Sequence, residues 1–181
     1  MRRQIKDNRI IHHQFAAWAA ATAASASPKC RFSVVDGVGI LEAIGLGPGY
    51  ARPDKLPALA TFDKCHRRWR ERGIREAKKR GIAMSHGVVA KLINVYLKSR
   101  FTCGGQANHP KVKAIHPPID SILLRTLAHK NYGSLGPTWR KLNSMRWSKF
   151  DSDTYQLAID CIKSVQNPEP LWAVELHWKS F

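Results

Sequence analysis

Acidic residues are scarce in this chain: 13 Asp and Glu stand against 30 Lys and Arg, a formal net charge of +17 over 181 residues. Such an excess raises self-repulsion in a compact fold, which argues against a merely soluble basic enzyme and for a polyanionic partner. Nucleic acid comes first and an acidic membrane surface second. Cysteine is sparse too. Cys30, Cys65, Cys103 and Cys161 lie far apart with no CxxC, which excludes a disulfide framework and a zinc finger. His66, His86, His109 and His116 form no recognised metal spacing with Cys65 or Cys103, so no metal and no cofactor is expected. Reduced, mostly buried thiols in a cytoplasmic, nucleoid-associated protein are the expectation. No stretch approaches the ~18–20 apolar residues needed to span a bilayer, and no membrane partner is expected. The phrase MRRQIKDNR followed by FAAWAAATAASAS imitates an export signal. Its alanine-rich core is broken by Ser and Thr, so it reads as a helix with Phe15 and Trp18 facing inward. Repeats, heptads and low-complexity tails are missing as well.

What is present is a foldable core: 44% of the residues are apolar and six are tryptophan. The length suits one sizeable core. Helix signals dominate. Residues 10–26 favour a helix by alanine propensity, with Pro28 as its stop. Phe32–Val35 reads as a short β-like run, followed by a weak helix around Ile40–Ile44. GLGPGYARPDKLP is a loop. Phe62–Arg80 predicts a basic helix with Phe62, His66, Trp69, Gly73 and Ala77 inward, and Gly73 marks a bend. Further helices are expected at about 87–100, from Asp120 onward, over DSDTYQLAIDCIKSV with Asp151 or Ser152 as cap, and over PEPLWAVELHWKSF. FTCGGQANHPKVKAIHPP and NYGSLGP read as loops, and Trp139–Met145 as a short helical turn. The expected architecture is a single all-α domain over 1–181, with at most a marginal strand pair. It comprises an N-terminal helical part (1–60), a core (61–165) and a C-terminal helix (166–181).

Two phrases carry chemistry. KCHRRWRERGIREAKKR, residues 64–80, holds nine Lys and Arg against two Glu. A solvated helix face would interleave both signs, whereas a one-signed face suits phosphate contact. Arg67, Arg68, Arg75, Lys78 and Lys79 are therefore candidate DNA contacts. In SHGVVAKLINVYLKSRF, Val88, Val89, Leu92, Ile93 and Tyr96 form an apolar stripe, while Lys91, Asn94 and Lys98 share the other face. HPPIDSILLRTL then places one acid, Asp120, at the mouth of another apolar helix. Taken singly, Asp120 is an ordinary N-cap and Lys91 a solvated lysine.

Together, GIAMSHGVVAKLINVYLK and HPPIDSILL resemble the signature of the helix-hairpin-helix DNA glycosylase superfamily. There a hairpin ends in a glycine, a lysine follows four residues on, and an aspartate behind a proline precedes the next helix. Gly87, Lys91, Pro118 and Asp120 take those places, and Lys91 and Asp120 lie 29 residues apart. That spacing resembles the archaeal 8-oxoguanine glycosylase branch, and the resemblance covers residues 60–165. AMSHGVVAK departs from the usual LPGVGxK hairpin by lacking the proline and one glycine. No four-cysteine iron–sulfur loop is present. The resemblance implies an all-α glycosylase fold and duplex DNA with a modified base as the partner of a monomer. It also implies catalysis by Lys91 and Asp120, with His86 and Gly87 in the hairpin against DNA.

That pair also makes independent chemical sense. Breaking an N-glycosidic bond builds positive charge on the sugar, which a carboxylate stabilises, and a lysine amine can attack C1′ to form a Schiff base. Lys98 would contact a phosphate or, as a neighbouring cation, favour the uncharged amine of Lys91. Asn94, Trp172, Glu175 and Trp178 are candidates for the pocket around an extruded base. An oxidised purine such as 8-oxoguanine and a hypermodified phage base both fit. The rivals are a non-enzymatic DNA-binding protein that uses the fold as a phosphate clamp, and an RNA-bound structural component.

Overall fold

The computed structural model describes residues 2–25 and 30–178, with side chains from residue 8. Among these residues the chain is all-α, without a strand: α1 (Arg2–Ala24), α2 (Val34–Ala43), α3 (Phe62–Lys79), α4 (His86–Leu97), α5 (Ser121–His129), α6 (Gly136–Ser144) and α7 (Ser152–Gln166). The residues expected to close α1, Ala26 and Pro28, lie outside the described residues, as do Lys179–Phe181 of the expected last helix. No described helix is long and apolar enough to cross a membrane.

The centre of the molecule is α4. Its apolar residues Val88, Val89, Leu92, Ile93 and Tyr96 are all fully buried, as their spacing predicts. α1, α2, α3 and α7 all pack against it. α1 does so through alanine: Ala16, Ala17, Ala20, Ala21 and Ala24 are 0–1% exposed. Small side chains let helix axes approach closely, so this face goes inward. Phe15 and Trp18, expected inside, are instead 61% and 52% exposed. His13 fastens the same face, its Nδ1 lying 3.0 Å from the Tyr96 hydroxyl and its Nε2 3.2 Å from Glu42 Oε1.

Local chemistry explains the remaining departures. The β-like run at Phe32–Val35 is the start of α2, because Ser33 and Asp36 form a reciprocal capping box. Gly37 then seats α2 on α1, where a Cβ would lie 2.6 Å from Cβ of Ala21. Gly73 marks no bend. It sits inside a continuous α3 where a Cβ would lie 2.6 Å from Val89 Cγ1, so it is the contact point of α3 with α4. α3 ends in a Schellman motif, with Gly81 N–H donating to Lys78 O and Ile82 N–H to Ala77 O, both at 3.0 Å, and with Gly81 at φ +73. Residues 80–85 thus turn α3 into α4. Lys98–Gln106 continues α4 as a π-helical segment, kinked at Gly104 and Gly105, so helix runs into Phe101–Gln106 where a loop was expected, and Leu171–His177 is a 3₁₀ helix rather than an α-helix. All four thiols are free, yet only Cys30 is buried, against the expectation of mostly buried cysteines.

Candidate functional site

Lys91 leaves α4 less than two turns after its Ser85 cap, and Asp120 is the N-cap of α5. Their side chains meet: Lys91 Nζ lies 3.3 Å from Asp120 Oδ2, and each side chain is 11% exposed. Asp120 Oδ1 accepts from Leu123 N–H at 2.9 Å, so one carboxylate caps a helix and holds an ammonium. Lys91 is therefore no solvated lysine. Two charges withdrawn this far from water need each other, since removing either partner of a buried pair typically costs about 3–5 kcal/mol.

Tryptophans frame the pair. The Lys91 ammonium sits 4.5 Å from the ring centroid of Trp147, a cation–π contact. Trp178 N–H donates to both Asp120 oxygens, at 3.2 and 3.0 Å, and the residue is 37% exposed. The 3₁₀ turn before it also brings Glu175 close, and Glu175 Oε1 accepts from Lys98 Nζ at 2.6 Å. Burial pushes the Glu175 carboxyl above its ordinary range, partly offset by the Lys98 ammonium. Lys98 is thus paired rather than free for phosphate. Trp172, expected in the pocket with them, has its indole N–H buried without a partner.

Gly87 and Asn94 do different work from that expected. Gly87 is buried, and its N–H donates to Phe150 O at 3.1 Å rather than pointing toward a phosphate. A Cβ there would lie 1.8 Å from Trp147 O. Only glycine lets the turn carrying Trp147 lie on α4, one helical turn before Lys91. Asn94 is wholly buried, with its amide committed to Pro117 O, Tyr155 and His66, so it lines no base pocket.

Lys64, Arg68, Arg72, Arg75, Lys78 and Lys79 on α3 are exposed, and Arg68, Arg72, Arg75 and Lys79 recur at i, i+4, i+7 and i+11 along one line. Arg67 is half-exposed and 3.7 Å from Asp153. Arg70, from the same run, is fully buried, stacked 4.3 Å over the Tyr155 ring and 3.4 Å from His86 Nδ1. Burial, aided by the Arg70 charge, lowers the His86 pKa, which keeps this half-exposed imidazole neutral at the start of α4.

Behind the pair lies a polar network that nothing in the local sequence announces. His66, Asn94, Tyr155, His116 and Asp63 are linked by hydrogen bonds of 2.8–3.0 Å. Burial opposes ionisation of Asp63, but bonds from His116 and Lys163 prevail and hold its carboxyl well below the usual range. A cavity of about 360 Å³ lies beside Asp63 and Lys163, away from Lys91. No protein-family model, curated protein or solved structure matches this chain.

Proposed function

We propose that this chain is a DNA glycosylase of the helix-hairpin-helix type. It excises a damaged or modified base, an oxidised purine such as 8-oxoguanine or a hypermodified phage base, with lyase chemistry through Lys91. The observation that carries the reading is the Lys91–Asp120 pair: an amine and a carboxylate 3.3 Å apart, nearly sealed from water, from positions 29 apart in sequence. Scaffolding alone seldom withdraws such a pair from solvent, because an apolar pair of similar volume often serves at least as well.

In this reading the exposed cations of α3 follow the DNA backbone. An extruded base meets the partly exposed face of Trp178. As the glycosidic bond breaks, the base leaves with the bonding electrons and Asp120 stabilises the positive sugar. Lys91, an ammonium in the pair, gives one proton to the departing base, and the amine it becomes forms the new bond to C1′ while Asp120 stays a carboxylate. One observation favours a non-enzymatic clamp instead: Asp120 already has a structural task as the cap of α5.

Incubation with duplexes that each carry one modified base, with and without borohydride, separates the two. Excision predicts an abasic product and a reducible covalent adduct that maps to Lys91 and is lost in Lys91→Gln. An adduct on Lys98 would overturn the lysine assignment. Tight duplex binding without product from any base would establish the clamp.

A further inference from the structure

Asn94 stands three residues after Lys91 on α4, and its Nδ2 donates to the carbonyl of Pro117 at 2.9 Å. Pro117 and Pro118 lead directly to Ile119 and Asp120, all four buried. A residue before proline is confined to extended backbone and proline fixes its own φ, so this dipeptide is a stiff strut. We infer that Asn94 is a positioning residue, whose bond from α4 to the Pro117 carbonyl sets the register of Lys91 against Asp120. The inference rests on the excision reading for its chemical consequence, and on geometry alone for the register.

The direction of each bond in the surrounding network follows from Asn94. A carbonyl only accepts, so Nδ2 faces Pro117 and Oδ1 faces His66, 2.8 Å away. His66 must then donate through Nε2–H, which leaves Nδ1 without a proton, and Nδ1 is the buried ring atom that lacks a partner. The second Nδ2 hydrogen goes to the Tyr155 oxygen at 2.9 Å. The Tyr155 hydroxyl therefore donates to His116 Nδ1 at 3.0 Å, and His116 Nε2–H donates to Asp63 Oδ1 at 3.0 Å. Asp63 is anchored in turn by Gln156 and Lys163. Every donor meets an acceptor, so the Asn94 amide has one orientation, and the Pro117 carbonyl has one place to rest. A buried network whose donors are all satisfied in this way favours a single arrangement.

The test compares Asn94→Ser with Tyr155→Phe in the full chain. Serine is too short to span to Pro117, whereas Tyr155→Phe removes a network bond but keeps the one to Pro117. A misplacement of about 1 Å at a reacting centre can cost roughly 100-fold in rate. Asn94→Ser should therefore lower kcat for excision by about 30- to 100-fold, with KM for duplex changed by less than about threefold. Acetylation of Lys91 by an amine-reactive reagent, read by peptide mapping, should rise about tenfold as the pair with Asp120 loosens. Tyr155→Phe should lose stability and leave kcat and Lys91 labelling within about threefold of wild type. If Asn94→Ser does not fold, Pro118→Ala, which keeps the Pro117 carbonyl and relaxes the strut, carries the same expectation. Unchanged kcat and labelling in whichever of these folds would overturn the inference, as would the same losses in Tyr155→Phe. If wild-type protein excises no base, the excision reading fails, and the labelling contrast still decides the positioning role.

Discussion

Replacing Gly87 by alanine distinguishes a packing glycine from a phosphate-binding one. The new Cβ would sit 1.8 Å from Trp147 O, 3.0 Å from Trp147 C and 3.1 Å from Phe150 Cβ. Two of these are backbone atoms of a turn held by Lys149 N–H to Arg146 O at 2.8 Å, so no side-chain rotation relieves the clash. The turn must retreat by well over an ångström, which stretches the 3.1 Å bond from Gly87 N–H to Phe150 O. Overpacking a core costs about 1–3 kcal/mol, and a buried group left unpaired costs about 1–3 more. Alanine recovers roughly 1 kcal/mol of helix propensity. The expected net loss is about 1–5 kcal/mol, read as a lower urea midpoint at unchanged m. Gly49→Ala, where nothing lies within 4 Å, is the control and should change stability by less than about 0.5 kcal/mol. Trp147 also carries the ring under Lys91, so any folded Gly87→Ala protein should lose excision faster than it loses DNA affinity. A variant as stable as wild type but defective in DNA binding would refute the packing argument and restore the hairpin amide as a phosphate ligand.

Three further outcomes follow from the same geometry. Asp120→Asn keeps a capping oxygen for Leu123 N–H and loses the charge. Excision should therefore fall by two orders of magnitude or more while circular dichroism and duplex affinity persist, and near-normal excision would remove Asp120 from the chemistry. Charge reversal of Arg67, Arg68 and Arg75 should reduce the salt dependence of duplex binding by roughly 0.9 log unit per log salt for each phosphate no longer neutralised, measured by anisotropy titration. An unchanged slope would mean that α3 faces solvent. His66 and His116 have pKa values lowered by burial, so each is neutral when folded and takes up a proton on unfolding. Their stabilising contribution is present above the unfolded value near 6.5 and fades below it. Stability should therefore fall as the pH drops from about 6 to about 5, at no more than about 1.36 kcal/mol per pH unit for each imidazole that stays neutral in the fold. A flat profile in urea melts over that interval would place these imidazoles in contact with water.

Much of the helical layout was legible because its signals are local. Alanine propensity marks α1, aspartate caps open α5 and α7, and the apolar period of α4 describes its buried face correctly. The basic face of α3 was legible for the same reason, with one exception. Arg70 reads like its neighbours in the run, yet its direction on the helix points it at Tyr155, which arrives from α7. Period reading assigns polar residues to water, and it fails wherever another polar group arrives from a distant segment to satisfy them. Asn94 fails in that way.

Sequence alone determined that this chain is strongly basic and largely helical, and a resemblance carried by Gly87, Lys91, Pro118 and Asp120 made the pairing of Lys91 with Asp120 an expectation. Helix caps, propensities and charge runs act over a few residues, so they survive in a linear reading. Only the tertiary structure decided that those two side chains touch, that Trp147 and Trp178 enclose them, and that Gly87 admits a turn rather than a phosphate. It also turned the alanine face of α1 inward and left Phe15 and Trp18 outside. The physical reason is common to all of these. Burial and charge pairing depend on which surfaces remain when the other helices close on α4, and no residue carries that information by itself.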